Sequence, residues 1–168
     1  TPWHAHHIAE RYGLMAIIAL GEGVVGTVAT LTVVVHDTGW SADAIMVAVA
    51  GVGLTFGMWW LYFMVPTADL LHAHRESSFW FGYLPIVLFG AIVATGAGLH
   101  VAAYYLEDHS ELGSAACVAT VAIPVGVYIW LVYLLHALML RATSAVHLVL
   151  CVLASAVLAG SVLLASAG

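Results

Sequence analysis

Residues 114–140 read SAACVATVAIPVGVYIWLVYLLHALML, a run of 27 residues without any Asp, Glu, Lys or Arg. At about 1.5 Å per residue, a helix of this length exceeds the roughly 30 Å thickness of a membrane's hydrocarbon core. Strands that cross membranes have about 10 residues of alternating polarity, which this run lacks. Because backbone groups in lipid must be hydrogen-bonded within their own element, the run predicts a transmembrane helix.

Four further apolar stretches of similar length accompany this run. Together they predict an all-α polytopic transmembrane bundle with about five spans, at residues 8–35, 42–65, 79–106, 114–140 and 145–165. The connections are short, so we expect residues 1–168 to form a single transmembrane domain. The chain begins with Thr1 and shows no signal-peptide pattern, and we expect it to be a fragment of a longer protein.

The composition agrees with a membrane protein and excludes other classes. The 168 residues are 64% hydrophobic and 7% charged, whereas soluble domains carry about 25% charged residues. So few charges cannot coat a soluble globule, and the hydrophobicity is too high for a disordered chain. The net charge of −6 argues against a nucleic-acid partner. The expected partner is the lipid bilayer, and homo-oligomerisation is left open.

The three arginines predict the orientation. With five spans, Arg11, Arg75 and Arg141 all fall on the same side of the membrane. Positive residues concentrate on the cytoplasmic side, so we expect the N-terminus of this segment inside and its C-terminus outside. Gly53 and Gly57 form a GxxxG pattern in the second span, which favours close packing against a neighbouring helix.

Glu22 is the most informative residue of the first span. It lies eleven residues beyond Arg11, about 16 Å deeper, which places it close to the bilayer midplane. An ionisable residue at this depth is expensive and is by default a functional-site hypothesis. The polar side chains at similar depth complete the predicted polar centre, namely Thr55, Thr95, Thr120 and Tyr128.

Two interpretations of Glu22 follow, from different classes of function. In the first, Glu22 is the centre of a transport-like or proton-coupled protein. In the second, Glu22 is protonated and donates one hydrogen bond that locks the bundle of a non-transporting protein. No phosphate-binding loop, nucleophile elbow or HExxH motif is present, so no catalytic residue is predicted and an enzyme is not expected.

Two histidine clusters raise a third hypothesis, a membrane metal-binding protein. His4, His6 and His7 precede the first span, and His72 and His74 lie in the next predicted cytoplasmic segment. Imidazoles suit transition metals such as zinc or copper, although this spacing is not a zinc signature. The alternative is that these histidines are interfacial residues, and no other cofactor is predicted.

A run of charged and glycine positions opens the first span. Residues 7–14 read HIAERYGL and residues 17–22 read IIALGE. His7 and Arg11 are four residues apart and share one helical face, with Glu10 one step round the helix. This cluster lies at the predicted inner membrane interface, where it is either an anchor or part of a site.

The run 7–22 resembles the bacterial low temperature requirement protein A family in its charged, glycine and apolar positions. Residues 59–63 (WWLYF), the pair Pro124 and Val125, and residues 133–136 (YLLH) are similar to the same family. The resemblance covers essentially the whole chain but only the later half of a typical member. It therefore implies the missing first half of the same protein as a partner.

The resemblance implies a multi-pass protein of the bacterial inner membrane, linked by name to growth in the cold. It implies no settled reaction, substrate or cofactor, so a structural or cold-stress-adaptation role stands beside transport. Met64 stands where many members carry an acidic residue, and Leu84 and Pro85 stand where many carry a histidine. A site completed by those groups would be altered in this chain.

Overall fold

The computed structural model describes residues 5–64, 78–107, 109–140 and 143–167. These residues form five helices and no strand: α1 (Ala5–Thr38), α2 (Ala42–Phe63), α3 (Ser78–Leu106), α4 (Ser114–Leu140) and α5 (Ala145–Ala167). All five are long and apolar enough to cross a membrane. The predicted all-α bundle with five spans is confirmed, with every bound within three residues of the prediction.

The turn between α1 and α2 shows how the chain reverses direction. Gly39 has φ 69°, a left-handed conformation that glycine adopts without the steric cost of a Cβ. Two residues later, the side chain of Ser41 accepts a hydrogen bond of 3.3 Å from the amide of Ala44. This bond caps the N-terminus of α2, so three residues suffice to connect the two helices.

Side chains of α1, α2, α3 and α4 form a buried core in the middle of the bundle. Helix α1 packs against α2 and α3, while α4 packs against α3 and α5. Within the described part of the chain, α5 contributes no residue to this core. The core consists of Ala16, Ala19, Leu20, Met58, Tyr62, Leu88, Ala91, Ile92, Tyr128 and Val132.

The outward faces of the helices are apolar as well. Ile18 on α1 is 74% exposed, and Leu164 on α5 is 77% exposed. A helix on the surface of a soluble protein carries polar residues on its outer face, whereas lipid tails are matched by apolar side chains. The five long apolar helices and these outward faces identify a multi-pass integral membrane protein.

Glycines bring α1 into backbone contact with α3. A Cβ built on Gly96 would lie 2.7 Å from the carbonyl carbon of Glu22. A Cβ on Gly26 would lie 2.6 Å from the carbonyl oxygen of Gly96. Only glycine allows the helices to approach this closely. In contrast, no described atom lies within 4 Å of a Cβ built on Gly53 or Gly57, so this GxxxG pattern mediates no close contact among the described residues.

Candidate functional site

Glu22 lies in the middle of α1, and its carboxylate meets a histidine of α3. The Oε1 atom of Glu22 is 3.5 Å from Nε2 of His100. This separation is within ion-pair range, although it is longer than a typical N–H···O hydrogen bond of about 2.9 Å. The Glu22 side chain is 42% exposed and that of His100 is 32% exposed. Two titratable groups on neighbouring apolar helices, α1 and α3, therefore face each other.

The backbone contact at Gly96 positions Glu22 and His100 opposite each other. Gly96 and His100 are four residues apart, so they share one face of α3. Because α1 rests on the α3 backbone at Gly96, the imidazole one turn further along reaches the Glu22 carboxylate. The polar centre predicted from the sequence did not include His100. The sequence pattern that could have predicted this contact is a small residue, Gly96, four positions before the histidine.

Thr30 of α1 forms a hydrogen bond with the segment of α3 that carries His100. The Oγ1 atom of Thr30 lies 2.8 Å from the carbonyl oxygen of Leu99, the residue before His100. The same hydroxyl is 3.0 Å from the carbonyl oxygen of Gly26 on its own helix. Since Thr30 is buried, this contact joins α1 to α3 beside the pair and orients the backbone that carries His100.

The three threonines of the predicted polar centre donate to backbone carbonyls of their own helices. Thr55 donates to Gly51 at 3.0 Å, Thr95 to Ala91 at 2.9 Å, and Thr120 to Cys117 at 2.7 Å. Thr55 also packs on α1 directly after Glu22, because its Oγ1 atom would lie 2.7 Å from a Cβ built on Gly23. The structure thus brings Thr55 of the predicted polar centre to the α1 segment that carries Glu22.

The fourth hydroxyl residue of the predicted centre, Tyr128, joins α4 to α2. Its side chain is fully buried, and its hydroxyl donates a hydrogen bond of 2.5 Å to the carbonyl oxygen of Met58. The hydroxyl is therefore engaged in a bond between helices within the hydrophobic core.

Replacing Tyr128 by Phe removes this bond and leaves the ring in place. We expect Tyr128→Phe to lower the free energy of unfolding by about 0.5–1.5 kcal/mol, the usual net value of one hydrogen bond. Unfolding in detergent micelles, followed by circular dichroism, measures the change. Tyr104→Phe is the matched control, because Tyr104 is 57% exposed and should tolerate the loss of its hydroxyl. Equal losses in both variants would contradict the expectation.

The interfacial cluster lies on the first turns of α1. The Nδ1 atom of His7 is 3.5 Å from Oε2 of Glu10, and their side chains are 74% and 73% exposed. Arg11, on the next turn, is exposed as well. An ion pair this exposed contributes little to stability. Whether the cluster is an anchor or part of a site stays a prediction.

The metal-site hypothesis stays a prediction. His6 and His7 lie on α1, whereas His4, His72 and His74 lie outside the described residues. Within residues 5–64, 78–107, 109–140 and 143–167, no group of three or more His, Cys, Asp or Glu side chains is placed to hold a metal ion. The structure therefore supports no metal centre from the described residues.

Comparison with known proteins identifies the family. The family model described as bacterial low temperature requirement A protein (LtrA) matches residues 1–168, the whole chain. No curated protein and no solved structure shows significant similarity to the chain. The match includes the run 7–22, which holds the interfacial cluster and Glu22. The chain belongs to the bacterial low temperature requirement A family.

Proposed function

We propose that this chain is a proton-coupled membrane protein in which Glu22 and His100 bind and exchange a proton inside the bilayer. The 3.5 Å separation between Glu22 Oε1 and His100 Nε2 supports this proposal. Ionisable residues within membrane spans are costly and mark ion pathways and proton relays. An acid and an imidazole that face each other across two helices have the chemistry of such a relay.

The proton balance of the pair is simple. Transfer of a proton from the Glu22 carboxylic acid to His100 Nε2 produces a carboxylate and an imidazolium, and the net charge stays the same. Uptake or release of one proton changes the charge of the pair by one and thereby changes the attraction between α1 and α3.

The exposure of the pair supports exchange with its surroundings. With 42% of the Glu22 side chain and 32% of the His100 side chain exposed, the pair is not sealed within the described core. A carboxylate that faces lipid is unfavourable. This edge of the bundle is therefore suited to contact water or a further segment of protein, either of which can deliver a proton.

A structural lock is the second candidate, and the backbone contact at Gly96 favours it. A Cβ built on Gly96 would lie 2.6 Å from Cγ of Glu22, so the side chain itself is part of the contact between α1 and α3. In this alternative, the pair with His100 joins two helices and no proton moves. The two candidates differ in what Glu22→Gln does, because glutamine keeps the shape but cannot release a proton.

Proton flux into liposomes tests the proposal. The protein is reconstituted into vesicles that contain a pH-sensitive dye. The outside is then made more acidic than the inside, so that protons are driven inward. Vesicles with the wild-type protein should lose the gradient faster than protein-free vesicles, and vesicles with Glu22→Gln should not. Equal rates for the wild type and for protein-free vesicles would contradict a proton-coupled role.

We propose further that the protein lies in the bacterial inner membrane with the N-terminus of this segment in the cytoplasm. His109 and Thr143 flank the opposite ends of α4. In a variant with the buried free cysteines Cys117 and Cys151 replaced by Ala, His109→Cys should react with an impermeant maleimide on intact spheroplasts. Thr143→Cys should react only after permeabilisation. The reverse pattern would contradict the orientation, and labelling of both from one side would contradict the arrangement of spans.

A further inference from the structure

A cavity of about 350 Å³ lies between α2, α4, α5 and residues 143–144, which precede α5. This volume is at the lower end of the range for small-molecule sites, about 300–1,000 Å³. Leu61 of α2, Val132 of α4 and Leu150 of α5 contribute to its apolar walls. None of the residues that line it belongs to the Glu22 and His100 pair, so the cavity is a separate feature of the molecule.

The cavity is polar at one end and apolar at the other. Its polar lining residues include three where α4 is followed by α5. His136 lies near the C-terminal end of α4, Thr143 precedes α5, and His147 lies on the first turn of α5. Ile129 also lines the cavity and is eleven residues before the end of α4, about 16 Å deeper along the helix. The cavity therefore runs from the membrane interface toward the hydrocarbon core, with the polarity gradient of a lipid.

Two imidazoles stand side by side at the polar end. The rings of His136 and His147 have centroids 6.4 Å apart and an interplanar angle of 23°. No Asp or Glu is among the described residues that line the cavity. An imidazole N–H group without a neighbouring carboxylate suits an anionic oxygen, because a hydrogen bond to an ionised acceptor is charge-assisted.

We propose that this cavity binds one membrane lipid with an anionic phosphate headgroup. The phosphate meets His136 and His147, and one acyl chain lies against Val132 and Leu150. Free phosphate would leave the apolar end empty, and a wholly apolar partner would form no hydrogen bond with the exposed imidazole of His147. A lipid satisfies both ends of the cavity. This site does not depend on the proposed proton-coupled function.

Native mass spectrometry of the purified protein in detergent tests the site. The probes are phosphatidylglycerol and diacylglycerol, which lacks the phosphate, with identical acyl chains and at equal concentrations. We expect the wild type to bind phosphatidylglycerol about tenfold more tightly, in line with a charge-assisted hydrogen bond. The double variant His136→Gln, His147→Gln should reduce this preference to about twofold or less. Leu150→Trp, which fills the apolar end, should weaken the binding of both lipids.

His109→Gln is the matched control, because His109 is exposed at the opposite end of α4. It should keep the preference of the wild type. If the double variant does not fold, His147→Gln alone replaces it, since His147 is exposed, and should lower the preference about threefold. Equal wild-type affinity for the two lipids would overturn the proposal, as would an equal loss in His109→Gln. Displacement of the lipid by millimolar inorganic phosphate would assign the site to free phosphate and overturn it as well.

Discussion

Gly96→Ala is expected to lower the free energy of unfolding by about 1–3 kcal/mol, the usual cost of adding a methyl group to a filled contact. The new Cβ would lie 2.7 Å from the carbonyl carbon and 2.9 Å from the carbonyl oxygen of Glu22. These are backbone atoms of α1, so they cannot rotate away as the end of a flexible side chain does. The two helices must separate, and the Glu22–His100 contact should lengthen with them.

Gly53→Ala is the matched control for this substitution. Gly53 also lies within a membrane helix, but no described atom is within 4 Å of a Cβ built on it. Alanine is favoured over glycine in helices by about 1 kcal/mol, so Gly53→Ala should be neutral or slightly stabilising. Titration with a denaturing detergent, followed by circular dichroism, measures both variants. Equal destabilisation by the two would contradict the backbone contact between α1 and α3.

Glu22→Gln is expected to reduce proton flux in liposomes by about 100-fold, which is the lower end of what a positioned acid–base group contributes. Glutamine has nearly the same shape and still forms hydrogen bonds, so the free energy of unfolding should change little. The measurement compares flux and unfolding for the same preparation. A variant that conducts like the wild type would exclude Glu22 as a proton-transfer group.

Glu22→Ala separates the proton relay from the structural lock. If the side chain only joins α1 to α3, Gln should be tolerated in both measurements, while Ala should lower the free energy of unfolding. The expected loss is about 1–3 kcal/mol, from an unpaired partner and a small cavity. The lower end is favoured, because hydrogen bonds within a membrane bundle average about 0.6 kcal/mol.

His100→Gln tests whether the two groups act as a unit. In a relay, His100→Gln should reduce flux by an amount similar to Glu22→Gln, and the double variant should be no worse than either single one, since residues in contact do not act additively. His109→Gln is the control, because His109 lies in the exposed connection between α3 and α4 and should leave flux unchanged. Additive losses would contradict direct coupling between Glu22 and His100.

The sequence alone determined the class of fold and its helices. A segment such as 114–140 must cross the membrane as a helix because of its own length and apolar character, whatever its neighbours are. The same property made Glu22 recognisable, since an acidic side chain in the middle of such a segment is expensive and stands out against apolar residues. Both features depend only on a single segment and the membrane around it. They can therefore be predicted without knowing which helices contact one another.

Only the tertiary structure decided which groups meet. His100 became the partner of Glu22, and Gly26 and Gly96 became points of close approach between α1 and α3, whereas Gly53 and Gly57 did not. Such pairings depend on the rotation, tilt and vertical offset of each helix. In a soluble bundle the polar face reveals the rotation, but here the lipid-facing and core-facing sides are equally apolar, as the outward apolar side chains show. The sequence therefore carries little information about which face turns inward, and packing between neighbouring helices supplies it.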